Sequence, residues 1–209
     1  MNFIEEKRLK AMADEIAANT KIDETLYKAF CSIPREIFSP LKAHSYSLNA
    51  MPMLSKQWIS SPLTVAKMTM ALDFKNADSV LEIGCGSGYQ AAILSKVIRR
   101  VFTIERIEKL VDEASANFKA LNLHNIFVMH ADGQLGWQKY APFDRILFSA
   151  YLEKEPKELF SQLTDGGILV APMLKNNKQF IIRFTKNENS IKQEELEECL
   201  FVPVLDGKE

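Results

Sequence analysis

The sequence has little of what marks several broad protein classes. Cysteine occurs three times in 209 residues, as Cys31, Cys85 and Cys199, an odd and widely separated set that gives no disulfide framework. The histidines, His44, His124 and His130, do not join them in any metal-ligand spacing, so no metal is expected. Neither sign of charge is in excess: Lys+Arg 26 against Asp+Glu 27 leaves a net charge of -1, and nothing draws the chain to nucleic acid or an anionic membrane. No apolar run approaches the roughly twenty residues that span a bilayer, and the opening Met-Asn-Phe-Ile-Glu-Glu-Lys lacks an apolar signal region. A cytoplasmic protein is expected. Glycine is also scarce, at 8 residues, yet three of them stand within one short stretch.

That stretch is Val80-Leu81-Glu82-Ile83-Gly84-Cys85-Gly86-Ser87-Gly88-Tyr89, an apolar run that becomes a glycine-rich turn and then a helical pattern. It reads as the first strand of a parallel sheet delivering its carboxyl end to a nucleotide-like ligand. Gly84 and Gly86 permit positive φ and close backbone approach, while Gly88 lets the next helix begin tight against the strand. The dinucleotide fingerprint wants its third glycine one place later, where Tyr89 stands, so the spacing is G-x-G-x-G. Glu82 at the strand end would repel a pyrophosphate and attract an ammonium group. The ligand that suits both features is S-adenosylmethionine.

Two more strand ends agree. Arg100 to Glu105 is a β-patterned run ending in an acid about twenty residues after the turn, where a ribose diol takes a bidentate partner. Ile126 to Ala131 leads into Asp132-Gly133, where a carboxylate would accept from an adenine amino group. A glycine turn alone is a weak signal; Glu82, Glu105 and Asp132 at three successive strand ends make it specific.

With 47% hydrophobic residues, the chain can bury the core of one α/β domain. Residues 2–18 form a charged helical stretch, and a second helix follows with Thr20 as its cap and Ile22, Leu26, Phe30 and Ile33 as its apolar face. From Ser39 to Trp58 there is little periodicity, and a loop this long is expected to be functional because it runs directly into Ile59-Ser60-Ser61-Pro62. Ser61 as N-cap and Pro62 as first helical residue start a helix to about Leu72. Ser60 then either serves that cap or faces a ligand carboxylate at the helix N-terminus. Trp58 either packs in the core or walls a pocket. Helices follow over Tyr89–Ile98 and Ile107–Leu121, then a strand from Phe143 with the exit loop Ser149-Ala150-Tyr151. A helix near Pro156–Leu163 and a strand over Ile168–Ala171 come next. The runs Gln179–Thr185 and Glu197–Val204, joined by Lys186-Asn187-Glu188-Asn189-Ser190, read as a hairpin. The expected architecture is a Rossmann-like, doubly wound α/β fold. It has a seven-stranded, mainly parallel sheet, an antiparallel C-terminal element and an N-terminal helical lid. Residues 1–60 would supply the lid and active-site loop, 61–172 the cofactor-binding core, and 173–209 the C-terminal hairpin.

These residues are specific enough to place the chain: it resembles the protein-L-isoaspartate O-methyltransferases. The likeness runs from Ile33-Pro34-Arg35-Glu36-Ile37-Phe38 to Phe201-Val202-Pro203-Val204. Between them lie Ile59-Ser60-Ser61-Pro62, Gly86-Ser87-Gly88-Tyr89-Gln90, Glu105-Arg106, Asp132-Gly133, Gly136-Trp137 and Gly166-Gly167-Ile168-Leu169-Val170-Ala171-Pro172. The glycine segment alone would indicate only a class I methyltransferase. The pieces around Ser60 and Val202 narrow it to this family.

The resemblance implies repair methylation, in which the methyl of S-adenosylmethionine goes to the α-carboxylate of L-isoaspartyl residues in damaged proteins and peptides. It implies Ser60 as the active-site serine. Cofactor contacts fall on Glu82, Gly84, Cys85, Gly86, Ser87, Gly88, Glu105 with Arg106, and Asp132 with Gly133. Trp58, Ile59, Ser149, Ala150, Tyr151 and Val202 are the expected acceptor-side residues. Trp58 stands where the family has threonine, removing a hydroxyl beside the carboxylate and adding a large ring. The acceptor is already ionised at neutral pH, so no catalytic acid or base is required, and placement in a dry pocket is what remains. The expected working form is a monomer. Two other readings stay open at this stage: a class I methyltransferase with a different acceptor, and a module that recognises isoaspartyl protein without methylating it.

Overall fold

The computed structural model describes residues 3–188 and 190–209; Met1, Asn2 and Asn189, the last within the expected hairpin turn, lie outside the described residues. Helices α1 (Phe3–Asn19) and α2 (Glu24–Ser32) open the chain. A small hairpin follows, β1 (Met51–Pro52) with β2 (Trp58–Ile59), and then α3 (Pro62–Ala71). The alternating part is β3 (Ser79–Ile83), α4 (Tyr89–Leu94), β4 (Arg100–Glu105), α5 (Glu108–Ala120), β5 (Ile126–His130), β6 (Phe143–Phe148) and α6 (Lys157–Phe160). Three long strands close it: β7 (Leu163–Lys175), β8 (Lys178–Asn187) and β9 (Ser190–Cys199).

Seven strands form one sheet in the order β5-β4-β3-β6-β7-β8-β9. The first five run parallel, whereas β8 is antiparallel to β7 and β9 to β8, so the expected fold class holds. Successive side chains of a strand point to opposite faces. Val80 and Val101 accordingly join the core under α1–α5, while Leu81 and Phe102 join the core under α6. The strand order turns back between β3 and β6. Ligands of open α/β sheets sit at such a switch point, outside the strands' carboxyl ends.

Helix α1 buries Leu9, Met12, Ala13 and Ile16, the spacing of one helical face, and packs with α2 and α3 into the same core as the glycine-turn helix α4. The lid is therefore part of the core. The cap of α2 is Asp23 and not Thr20: the Asp23 carboxylate accepts from Leu26 N at 2.9 Å, while Thr20 N still donates to Ile16 O at the end of α1.

Three boundaries differ from the sequence reading for physical reasons. Asp165-Gly166-Gly167 lies inside β7 as a bulge, marked by a register shift against β6 and by Gly166 at φ +73, and β7 itself continues past Pro172. Strand β9 occupies Ser190–Cys199, not Glu197–Val204. As an exposed edge strand it carries no apolar period, and Lys175–Glu195 and Lys178–Glu198 pairs line its neighbourhood. Residues 201–204 leave the sheet instead, since Pro203 has no N–H to give a ladder. They pair with the β6 exit loop, where Tyr151 N donates to Val202 O at 2.8 Å and Val204 N to Tyr151 O at 2.9 Å.

Candidate active site

The glycine turn closes over the end of β4. Gly84 N donates to Ile104 O at 2.9 Å, and Gly86 N donates to the Glu105 carboxylate at 2.8 Å. The other Glu105 oxygen accepts from Ile107 N at 3.0 Å, so this one side chain ties the turn to the start of α5. Gly84, Gly86 and Gly88 all have positive φ. Gly88 was expected to fit the helix against its strand; a side chain there would instead come within 2.5 Å of the Phe118 ring, so it is α5 that packs onto the turn. Gly133 likewise leaves room for Ile83.

Glu82 is fully buried. Its register neighbours explain its partners: it lies opposite Thr103 on β4, whose hydroxyl donates at 2.6 Å, and the Ser149 hydroxyl at the end of β6 donates at 3.1 Å. Burial pushes its pKa up to about 8, opposed by those two hydrogen bonds and reinforced by the Glu105 charge. That raised value favours the protonated carboxyl at neutral pH, and a cation placed beside it would favour the ionised form. Cys85 is buried as well, and its thiol is pushed well above its ordinary value by that burial, so it is an unreactive neutral group.

Two clefts open here. The larger, about 660 Å³, is lined by Ile83, Ile104, Glu105, Ile107, Gly133 and Ala150 together with the C-terminal run Val202 to Leu205. The smaller, about 350 Å³, holds Ser60, Ile59, Met53, Glu82, Cys85, Ser87 and Tyr89. Trp58, Gly84, Gly86 and Ser149 line both, so the clefts adjoin. Apolar walls beside Glu105, continued by a turn above Glu82, fit an adenosine carrying a cationic tail.

Ser61 is the N-cap of α3: its hydroxyl accepts from Thr64 N at 3.0 Å and meets Thr64 Oγ1 at 2.9 Å. The Ser60 hydroxyl makes no hydrogen bond among the described residues, although it borders the smaller cleft. The two serines thus separate into a structural and a cleft-facing one. Trp58 is 55% exposed, which removes the option of a core tryptophan.

Other expected residues fall differently. Asp132 lines neither cleft; its carboxylate accepts from Gln134 N at 3.0 Å and Gly207 N at 2.8 Å. Arg106 borders the larger cleft, but its guanidinium grips the tail, reaching Glu209 at 2.9 Å and the carbonyl oxygens of Gly207 and Asp206. Tyr151 lines neither cleft and acts through its backbone bonds to Val202 and Val204. Missed by the sequence reading are Met53, which covers the turn at Gly86, and Leu205. Nothing local in Asp206-Gly207-Lys208-Glu209 signals that this tail is tied to Arg106, Glu108 and Asp132, after the ends of β4 and β5.

Comparison with known proteins agrees over nearly the whole chain. The family model for protein-L-isoaspartate(D-aspartate) O-methyltransferase matches residues 7–209. The chain is 54% identical over 199 residues to the protein-L-isoaspartate O-methyltransferase of Helicobacter pylori strain J99, covering 94% of this chain and 95% of that one. It is 42% identical over 177 residues to the protein of that name from Maricaulis maris, covering 84% and 83%. A solved protein-L-isoaspartate O-methyltransferase superposes with a TM-score of 0.85 at 25% identity, covering 96% of this chain and 66% of that longer one. A Plasmodium falciparum candidate of the same description, in complex with S-adenosyl-L-homocysteine, has the same fold with a TM-score of 0.85 at 20% identity, covering 94% and 98%.

Proposed function

The chain belongs to the protein-L-isoaspartate O-methyltransferase family, and from that membership we propose how its own residues carry the reaction. The protein moves a methyl group from S-adenosylmethionine to the α-carboxylate of L-isoaspartyl residues in damaged proteins and peptides. The cofactor supplies an activated methyl on a sulfonium, and the acceptor is a carboxylate already ionised near neutral pH. The protein's task is therefore to align two groups and keep water away while opposite charges cancel.

The observation that carries the assignment is the free Ser60 hydroxyl in a cleft that shares Trp58, Gly84, Gly86 and Ser149 with the larger one. We assign Ser60, with backbone N–H groups at the start of α3, to hold the acceptor carboxylate. Ile59, Ala150 and Val202 line the clefts with apolar surface and exclude water. On the cofactor side, Glu105 takes the ribose diol, Glu82 attracts the cationic end, and the turn from Gly84 to Gly88 cradles it. Arg106, Asp132 and Tyr151 act at one remove: Tyr151 holds Val202 and Val204, and Arg106 and Asp132 anchor the tail that follows the cleft-lining run Val202 to Leu205. In this reading residues 1–60 serve the acceptor, 61–172 the cofactor, and 173–209 close the site. The proposed working form is a cytoplasmic monomer that needs neither nucleic acid nor membrane. The net charge of -1 supplies no general attraction to nucleic acid, and no described helix is long and apolar enough to cross a membrane.

The decisive assay compares an isoaspartyl peptide with its aspartyl counterpart, following methyl transfer from labelled S-adenosylmethionine. Transfer to the isoaspartyl form alone is expected, and equal transfer to both would overturn the assignment.

Glu82 gives a second expected outcome. Its folded pKa lies above the ordinary carboxyl value, so its contribution to stability is complete below about 4.5 and is lost as pH rises through about 8. A cofactor cation placed beside it reverses that preference. Binding near neutral pH should then release close to one proton, because the titratable groups facing Glu82 are Glu105, with its own hydrogen bonds, and the neutral Cys85 thiol. Calorimetry in two buffers of different ionisation enthalpy measures this. Glu82→Gln should abolish the release, and an unchanged release would assign it elsewhere.

A further inference from the structure

The β1–β2 hairpin sorts its residues by face. Met51 lies opposite Ile59 and both are buried, while Pro52 lies opposite Trp58 and both are exposed. Paired residues of an antiparallel hairpin share one face. One face is therefore packed in the core, and the other offers water an indole backed by a proline ring. The hairpin is held in place by those core contacts, and its turn is closed by Met53 N donating to Gln57 O at 2.9 Å. Its tip puts two consecutive non-glycine residues, Ser55 and Lys56, at φ 57 and 56, a conformation that costs on the order of 1 kcal/mol each and persists only where the surroundings enforce it.

Trp58 also has a particular place relative to the chemistry. In the larger cleft it shares the lining with Val202 and Pro203, and in the smaller one with Ser60 and Ser149. Trp58 and Ser60 line the same cleft, so a peptide presenting a carboxylate to Ser60 would lie near the indole. Trp58 is the large exposed aromatic among the residues lining either cleft. Its exposed area is apolar surface at the place where the two clefts adjoin, within reach of an acceptor held at Ser60.

Building on the isoaspartyl reading above, we propose that Trp58 and Pro52 form a platform for the side chain adjoining the isoaspartyl residue. This protein then favours damage sites flanked by an aromatic or large apolar residue. The occupant is an extended peptide with such a side chain next to the isoaspartate, and the selectivity resides in the hairpin's outer face rather than in the methyl-transfer site.

The test uses the full chain and two isoaspartyl peptides that differ only in carrying Phe or Ser on either side of the isoaspartate. The wild type is expected to favour the Phe peptides by about tenfold in kcat/KM, mainly through KM, as an aromatic contact of that kind supplies. Trp58→Phe keeps the platform and should keep the preference. Trp58→Thr should still methylate both peptides, with the preference reduced to within about twofold and S-adenosylhomocysteine affinity unchanged. Indole emission provides a readout without turnover. Titrating the Phe peptide into the S-adenosylhomocysteine complex should shift the wild-type spectrum to the blue, and this response should be missing in Trp58→Phe. Retention of the full preference in Trp58→Thr would overturn the platform. So would an equal loss of S-adenosylhomocysteine and peptide affinity, which would make the indole a cofactor wall. Failure of the wild type to methylate either peptide would remove the isoaspartyl reading itself, and the platform with it.

Discussion

Ser60→Ala is expected to lower turnover on an isoaspartyl peptide by about a hundredfold while the melting temperature barely moves. The figure follows from what a displacement of about 1 Å does to an aligned displacement reaction. It applies here because the Ser60 hydroxyl has no structural partner to lose and borders the cleft beside Glu82 and Ser149. Ser61→Ala is the control with the opposite signature. Its hydroxyl caps α3 through Thr64, so its loss should cost about 1 kcal/mol of stability and leave turnover nearly intact. Thermal melts and initial rates on both variants distinguish the serines directly. Full activity in Ser60→Ala would leave the acceptor carboxylate to backbone donors alone.

The separation of these two serines shows what is legible in the chain and what is not. A helix start is a local event, so Ser61-Pro62 announces α3 from the sequence alone, and the structure places both residues as expected. The glycine turn and the strands before it are equally legible. Their apolar runs are bounded by residues with few other uses, and three acids mark the ends of β3, the end of β4 and the exit from β5. Which atoms those acids meet is not local. Glu82 meets Thr103 and Ser149 because the register of β3 against β4 and β6 brings them together across the sheet. The Asp132 carboxylate meets Gly207 because the chain returns over the sheet after β9, 75 residues further along. Edge strand β9 is illegible for a different reason. Water on both faces removes the period that identifies buried strands, so the expected strand begins only at Glu197 and misses Ser190 to Leu196. The acceptor hairpin is hidden because two-residue strands carry no period at all. Only the exposure of Trp58 beside the burial of Ile59 reveals its two faces.

Glu105 is where ligand-facing and structural duties fall on one side chain, and its substitution should show both. Each carboxylate oxygen already accepts one backbone N–H, Gly86 at 2.8 Å and Ile107 at 3.0 Å, and the group is almost fully buried beside the larger cleft. A carboxylate has about four acceptor positions, so lone pairs remain for a ribose diol. Glu105→Ala would leave both N–H groups without an acceptor, at about 1–3 kcal/mol each. It would also remove a charged acceptor worth about 1.5–3 kcal/mol to the cofactor, a loss of roughly ten- to a hundredfold in affinity. Alanine alone cannot say whether the cofactor is lost because the diol has no partner or because the turn has lost its shape. Glu105→Gln can. The amide oxygen still accepts one of the two N–H groups, so the melting temperature should fall less than in the alanine variant, but neither the charge nor the paired acceptor survives. Binding of S-adenosylmethionine, followed by calorimetry, should therefore fall in glutamine nearly as far as in alanine, while stability separates the two. Wild-type affinity in Glu105→Gln would overturn the ribose assignment and leave Glu105 as the clasp that holds the glycine turn to the start of α5.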